Sequence, residues 1–149
     1  MREAIRLAVK SVADGGGPFG CVVVKDGRVI GEGVNRVTLT NDPTAHAEVV
    51  AIRQACAHLG GFQLEGCTLY CSCEPCPMCL GAIYWSRPSA VFFAASREEA
   101  AAVGFDDEFI YTEVGLEVER RRIPMRRLMA DPGQEPFEVW RETPGRHGY

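Results

Sequence analysis

Two short motifs, well separated in the chain, constrain its fold most tightly: HAE at 46–48 and PCPMC at 75–79. One histidine and two cysteines can supply three ligands to a zinc ion, which leaves the fourth tetrahedral position open. Three protein ligands with an open position are typical of a catalytic zinc site, whereas a structural site is closed by four. The motifs therefore predict a fold that brings His46 against Cys76 and Cys79.

The two cysteines lie at the start of a predicted helix that runs from Pro77 or Met78 to about Trp85. Residues at i and i+3 share one side of a helical turn, so both sulfur atoms can reach one ion. The positive helix end and its free backbone N–H groups lower the pKa of a thiol and favour the metal-binding thiolate. Glu48 follows the histidine closely and supplies a carboxylate that can move protons beside the open position.

Other interpretations of the cysteines stay open from the residues alone. A closed structural zinc site would take Cys71 or Cys73 as its fourth ligand, and a non-catalytic zinc-binding module would need such a closed site. An iron–sulfur cluster is less favoured, because Ile83 stands where that motif requires a fourth cysteine. The closed site would leave the HAE motif without a role.

Composition predicts a single domain, 1–149, in a reducing compartment. The chain has 149 residues, 46% of them hydrophobic, which is enough for one core. A net charge of -4 argues against a nucleic-acid backbone as the main partner. No signal peptide or membrane span is visible, and four of the seven cysteines crowd between Cys71 and Cys79, which suits metal binding better than disulfides. These features predict a cytoplasmic protein that does not bind membranes.

Hydrophobic periodicity predicts an α/β fold that opens with a helix and a hairpin. Asp26-Gly27 is a strong turn signal between two strands. The strands are predicted at 20–25, 28–33, 67–72 and 90–95, with an edge strand near 123–125, and the later helices at 45–59, 77–85, 98–103 and 136–141. This order predicts a mixed sheet of about five strands with helices on both faces.

Two longer segments carry a family resemblance: NDPTAHAEVVAIRQAC at 41–56 and CSCEPCPMCLGAIYWSRP at 71–88. They resemble the cytidine deaminase-like superfamily, whose zinc-dependent nucleobase deaminases combine H-x-E with P-C-x-x-C. Within it, the chain is most similar to the compact bacterial guanine deaminases, because GFDDEFIY at 104–111 and the final Tyr149 match that family.

The resemblance implies a three-layer α/β/α fold of the cytidine deaminase-like type and one catalytic zinc ion. His46, Cys76 and Cys79 would hold the ion, and water or hydroxide would be its fourth ligand. Hydroxide on the zinc would attack C2 of guanine while Glu48 shuttles protons, giving xanthine and ammonia. The resemblance also implies a small-molecule purine substrate and a homodimer, in which a C-terminal segment of about 130–149 is exchanged in some relatives.

The resemblance further implies which residues contact the purine. These are Phe19, Asn35, Ala47, Trp85, Asp107 and Tyr149, the last closing the pocket. The amide of Asn35 can donate and accept, which suits the polar edge of a purine. Asp107 would also be a second proton carrier, although its neighbour Asp106 has the same chemistry. Judged by residue type alone, Phe19 and Trp85 are equally suited to a core.

The competing hypothesis is deamination of another substrate: a tRNA adenosine, guanosine, cytosine or an aminotriazine. The tRNA adenosine deaminases share the PCxMC motif, so the zinc motifs do not exclude them. An arginine group at 120–122 and 126–127 is a candidate phosphate-binding patch. Nearby glutamates at 113, 117 and 119 and the acidic net charge favour a solvated face instead. A free purine needs no phosphate contact, and we therefore predict guanine.

Overall fold

The computed structural model describes residues 1–148, and Tyr149 lies outside the described residues. An opening helix, α1 (Arg2–Ala13), precedes a hairpin of β1 (Gly20–Lys25) and β2 (Arg28–Val34). The hairpin turns at Asp26 and Gly27, whose φ angles of 49° and 74° are the positive values that a type I′ turn requires. The predicted hairpin is therefore confirmed.

The later helices and strands alternate as the sequence predicts. They are α2 (Val37–Thr40), α3 (Ala47–Leu59), β3 (Cys67–Cys73), α4 (Pro77–Ser86), β4 (Ala90–Ala95), α5 (Arg97–Ala101), α6 (Glu108–Val114) and α7 (Glu135–Glu142). Short 3-10 turns lie at Val118–Arg120 and Pro132–Gln134. Helices α2 and α6 were not expected from the sequence. Both are too short for a clear helical period, so only the folded chain reveals them.

The sheet is mixed, with strand order β2-β1-β3-β4. Strand β1 runs antiparallel to β2 and β3, while β3 and β4 are parallel and are connected through α4. Alternate residues of a strand point to opposite faces. Val22 therefore packs with Leu7 of α1 on one face, whereas Val23 packs with Ala51 of α3 and Ile83 of α4 on the other. Helices cover both faces, which confirms the three-layer α/β/α fold.

Helix α1 lies close to the sheet because Gly20 has no side chain. A Cβ atom at Gly20 would be 2.3 Å from the carbonyl oxygen of Ala4 and 2.7 Å from the nitrogen of Ala8. This contact turns a face of small and apolar residues toward the sheet, and that face includes the buried Ser11 and Leu7. Ser11 is thus a polar side chain inside the helix–sheet contact.

Helix α3 packs even more closely on β2. A Cβ atom at Gly33 would lie 2.0 Å from the carbonyl oxygen of Ala47, and one at Gly31 would lie 2.6 Å from that of Ala51. Only glycine fits at such a distance between two backbones. The first turn of α3 therefore rests directly on β2, and this fixes the position of His46, the residue that caps α3.

The sheet has four strands in the described part of the chain, rather than about five. The edge strand expected near 123–125 is irregular backbone instead, and within residues 1–148 it pairs with no strand. Pro124 has no N–H group to donate to a neighbouring strand, which weakens this segment as a strand. The difference does not change the fold class.

The described chain divides into two compact units, Met1–Asp107 and a second unit that begins at Glu108. The first contains the sheet and both apolar clusters. In the second, no described residue is buried, and large apolar side chains such as Leu128, Met129 and Phe137 are exposed. The single-domain organisation expected from the sequence stays a prediction.

None of the helices within residues 1–148 has the length and apolarity needed to span a lipid bilayer.

Gly33→Ala is expected to lower the free energy of unfolding by about 1–3 kcal/mol, because the added methyl group would overlap the Ala47 carbonyl. Urea unfolding followed by circular dichroism measures the change. Gly81→Ala is the control, since Gly81 lies in α4 with open space around the added carbon and alanine favours a helix. Equal unfolding midpoints for Gly33→Ala and the wild type would contradict the close packing of α3 on β2.

Candidate active site

Two helix N-termini meet at the residues that the motifs single out. His46 caps α3, and Cys76 caps α4, both with extended backbone before the first helical turn. Pro77 takes the first helical position, where its missing N–H group is not needed. Cys79 is fully buried in the first turn of the same helix. The predicted convergence of one histidine with two cysteines is therefore present in the fold.

The three ligand atoms have the spacing of a tetrahedral zinc site. His46 Nδ1 lies 3.5 Å from Cys76 Sγ and 3.5 Å from Cys79 Sγ, and all three atoms lie within 4.8 Å of one another. Zinc bonds of about 2.3 Å to sulfur and about 2.0–2.1 Å to nitrogen, at tetrahedral angles, separate N and S by about 3.6 Å. The donor set thus fits zinc without rearrangement.

Hydrogen bonds within the group prepare the donors for a cation. The Cys79 thiol and the His46 ring stabilise a thiolate at Cys76 and lower its pKa to about 4. The interaction with Cys76 and burial raise the pKa of Cys79. The pKa of His46 is also raised, mainly by its hydrogen bond to Cys76. A zinc ion would replace these protons at the same three atoms.

The other cysteines of the crowded segment bond elsewhere. Cys71 Sγ faces Cys21 Sγ across two strands at 3.7 Å, and Cys73 Sγ donates to the carbonyl of Ser96 at 3.6 Å. Burial raises the pKa of Cys73 to about 11, which disfavours the metal-binding thiolate. Among residues 1–148, the possible metal-binding group contains His46, Cys76 and Cys79, with no fourth protein ligand. This arrangement favours an open zinc site over a closed one.

Glu48 lies in the first turn of α3, buried beside the ligand atoms. Loss of solvent raises the pKa of Glu48, although a backbone hydrogen bond, the Cys79 thiol and the positive His46 partly oppose the shift. A buried carboxyl group with a raised pKa, adjacent to an open metal position, is suited to accept and return protons.

The structure distinguishes the two neighbouring aspartates. Asp107 is half-buried, and loss of solvent raises its pKa, with a further contribution from the negative charge of Cys76. Asp106 is exposed. Asp107, the aspartate singled out from the sequence, is therefore the more buried of the two.

Asn35, buried just beyond the end of β2, is held by its backbone and its side chain. Its N–H donates to the carbonyl of Phe19 at 3.1 Å, and its Oδ1 accepts from the N–H of Val37 at 3.3 Å. Phe19 is half-buried against the core and meets Phe105 edge to face, with ring centres 4.9 Å apart. Ala47, between the ligand His46 and Glu48, is fully buried.

Two other predicted contacts are not brought into this group. Trp85 is 62% exposed on α4, and Tyr149 lies outside the described residues.

Sequence analysis missed two residues that the fold connects to the predicted site. The first is Phe105, which lies in the GFDD segment that the sequence analysis had already singled out. The second is Ser11, which the sequence could have indicated as a serine on the apolar face of α1.

Comparisons with known proteins agree with the geometry. Residues 1–95 match the model of the cytidine and deoxycytidylate deaminase zinc-binding region. The whole chain is 55% identical to a guanine deaminase from Bacillus subtilis, of which it covers 96%. An X-ray structure of guanine deaminase from the same organism superposes with a TM-score of 0.97, over 99% of this chain and 95% of that one.

A second group of relatives matches less of the chain. A tRNA-specific adenosine deaminase from Haemophilus influenzae is 44% identical over 113 residues, which are 72% of this chain and 65% of that protein. The identity to the guanine deaminase extends through the remainder of the chain as well.

Cys76→Ala is expected to lose bound zinc, because two ligands rarely retain the ion against a chelator. Cys73→Ala is the matched control, because Cys73 is a buried cysteine three residues away whose thiol donates to the carbonyl of Ser96. The Cys73→Ala variant should retain one zinc ion per chain. Atomic emission spectrometry after dialysis against a weak chelator measures both. Loss of zinc from Cys73→Ala with retention in Cys76→Ala would contradict this ligand assignment.

Proposed function

The chain belongs to the family that carries the cytidine and deoxycytidylate deaminase zinc-binding region, and from that premise we propose that it hydrolyses guanine to xanthine and ammonia. The observation that carries the substrate assignment is the 55% identity to a guanine deaminase over the entire chain. In this reaction water adds at C2 of the purine, the bond from C2 to the exocyclic nitrogen breaks, and ammonia leaves.

We propose that His46, through Nδ1, and the thiolates of Cys76 and Cys79 hold the zinc ion. The ion, when bound, lowers the pKa of water and acts as a Lewis acid. Two thiolates and a neutral imidazole balance its formal charge, which makes a zinc site of this type less acidifying than one built from histidines. The site therefore needs a strong protein base.

Glu48 is that base in the proposed reaction. Its carboxylate takes one proton from the attacking water and delivers it to a ring nitrogen. It then takes the second proton from the hydroxyl group formed at C2 and delivers it to the amine, which leaves as ammonia while the C2 carbonyl forms. The position of Glu48 in the first turn of α3, two residues after His46, supports this role. Burial supports it as well, because a raised pKa allows the group to hold a proton between the two transfers.

Substrate contacts are assigned to the residues around this cluster. Asn35 binds the polar edge of the purine through its amide, and Phe19 packs against the ring. Asp107 binds the guanine edge and serves as a second proton carrier, which its partial burial and raised pKa support. Ala47 borders the base between His46 and Glu48. We also retain Trp85 and Tyr149 as proposed pocket residues.

We favour guanine over a tRNA adenosine, although relatives of both kinds match the chain. The adenosine deaminase aligns with only part of the chain, whereas the guanine deaminase aligns with all of it. The arginines expected near 120–127 include Arg121, whose side chain donates to the carbonyl of Leu116. The net charge of -4 also opposes binding to a phosphate backbone.

Seven free cysteines support a cytoplasmic location.

The working enzyme is proposed to be a homodimer in which the segment of about 130–149 is exchanged. Large apolar side chains are exposed on α4, including Tyr84 at 75%, and on the edge strand β4, including Phe92 and Phe93. The second unit likewise exposes its apolar residues, such as Phe137. Surfaces of this type commonly mark a protein interface. A second copy of the chain is the partner of choice, since most soluble oligomers are homo-oligomers.

The zinc-loaded chain is expected to convert guanine to xanthine with release of ammonia. Glu48→Gln should keep its zinc and lose about 10²–10⁴ in kcat, because an amide cannot carry the proton. Xanthine absorbance, an ammonia assay and the zinc content of both proteins measure this. A zinc-loaded wild type without turnover of guanine would contradict the substrate assignment. Guanosine, cytosine, an aminotriazine and tRNA adenosine would then be assayed, and affinity that falls steeply with salt would indicate phosphate contacts.

Segment exchange predicts complementation between two weak variants. Glu48→Gln lacks the base and Tyr149→Ala lacks the pocket-closing side chain. In a mixed dimer with exchanged segments, the Tyr149→Ala chain would receive Tyr149 from its partner, and about a quarter of wild-type activity should return if the chains mix randomly. Light scattering should give twice the 16.3 kDa chain mass. Mixed dimers without a gain in activity would contradict the exchange, and a monomer mass would contradict the dimer.

A further inference from the structure

The carboxamide of Asn35 is positioned by a network that begins in helix α1. The carbonyl oxygen of Asn35 accepts from Ser11 Oγ at 3.2 Å, and its N–H donates to Phe19 at 3.1 Å. Its Oδ1 accepts from the N–H of Val37 at 3.3 Å. With Oδ1 committed to this bond, Nδ2 is the donor that remains for a ligand. The orientation of the amide is therefore set by its surroundings.

Ser11 is 1% exposed, on the face of α1 that packs against the sheet. A buried hydroxyl group needs a hydrogen-bond partner, and this one is the carbonyl of Asn35, far away in sequence. The bond ties the end of β2 to α1. It thereby holds the backbone from which the Asn35 side chain extends.

The glycines that follow α1 leave room for Asn35. A Cβ atom at Gly16 would lie 2.5 Å from the Asn35 carbonyl oxygen and 2.6 Å from Ser11 Oγ, so it would break their hydrogen bond. A Cβ atom at Gly17 would lie 2.9 Å from Cγ and 3.0 Å from Oδ1 of Asn35. Gly17 thus borders the carboxamide itself, whereas Gly16 borders the backbone.

We propose that Ser11 and Gly17 are positioning residues for purine binding, because both fix the Asn35 carboxamide. Ser11 acts through its hydrogen bond to the backbone carbonyl of Asn35, and Gly17 acts through van der Waals contact with the side chain. This inference rests on the proposed function, in which Asn35 binds the base. Neither residue touches the metal-binding group, so their effect falls on the affinity for the base rather than on the proton transfers. Helix α1 then contributes to substrate recognition although it carries none of the zinc motifs.

Gly17→Ala is the most direct test, because the atoms that the added carbon meets belong to a side chain that can rotate. The fold should tolerate the change while the carboxamide moves. We expect KM for guanine to rise about tenfold with kcat and zinc content unchanged, as for the loss of one uniform binding hydrogen bond. The Kd for 8-azaguanine, from calorimetry in a Glu48→Gln background that does not deaminate the ligand, should rise by the same factor. Gly61→Ala, where the added carbon meets nothing, is the matched control and should change neither constant.

A double-mutant cycle separates positioning from a merely structural role. Ser11→Ala should raise KM and Kd in the wild type but leave both unchanged in an Asn35→Ala background, because the residue acts only through Asn35. Ser86→Ala is the control for loss of a buried hydroxyl: Ser86 is 4% exposed and donates to the carbonyl of Ile83 at 3.0 Å. It should lower stability without changing KM.

The outcomes separate the two proposals. A zinc-loaded wild type that does not deaminate guanine would overturn the proposed function, and this inference with it. Turnover by the wild type, with an unchanged KM in both Gly17→Ala and Ser11→Ala, would overturn the inference alone. Additive effects of Ser11→Ala and Asn35→Ala on KM would also overturn it. Tenfold higher KM and Kd in both variants, lost in the Asn35→Ala background, would support it.

Discussion

The contact between the backbone of α3 and Gly33 of β2 is the constraint on which the site depends. The carbonyl of Ala47 lies where any side chain at Gly33 would be. Ala47 stands between His46 and Glu48, so this single contact sets the position of both a possible metal-binding nitrogen and a buried carboxyl group. Because backbone meets backbone, the helix has little freedom to slide or lift. The positions of His46 and Glu48 thus follow from the packing of the helix on the sheet.

Burial of Glu48 near sulfur ligands makes the site electrostatically dependent on a cation. A carboxylate removed from water and placed beside a thiolate is unfavourable, and the raised pKa of Glu48 reflects its loss of solvent. A zinc ion at His46, Cys76 and Cys79 would offset both costs. Metal binding would therefore stabilise the first turns of α3 and α4 in addition to supplying the chemistry of the reaction.

Asn35 is held by a different part of the fold from the metal-binding atoms and Glu48. Asn35 is anchored by hydrogen bonds to α1, to the residue before β1 and to the first residue of α2. The ligand atoms and Glu48, in contrast, depend on α3 and α4. The two groups of residues therefore depend on different contacts within the first unit.

The sequence by itself determined the metal-binding residues, the hairpin and the bounds of most helices and strands, because turn chemistry, ligand type and hydrophobic period are local properties. It also predicted Glu48 as a candidate proton carrier. Only the tertiary structure decided that Cys71 and Cys73 bond away from the ligand group, and that Asp107 is partly buried whereas Asp106 is exposed, since these contacts join residues distant in the chain. The same holds for Ser11: one serine among apolar residues becomes a partner of Asn35 only when α1 packs on the sheet.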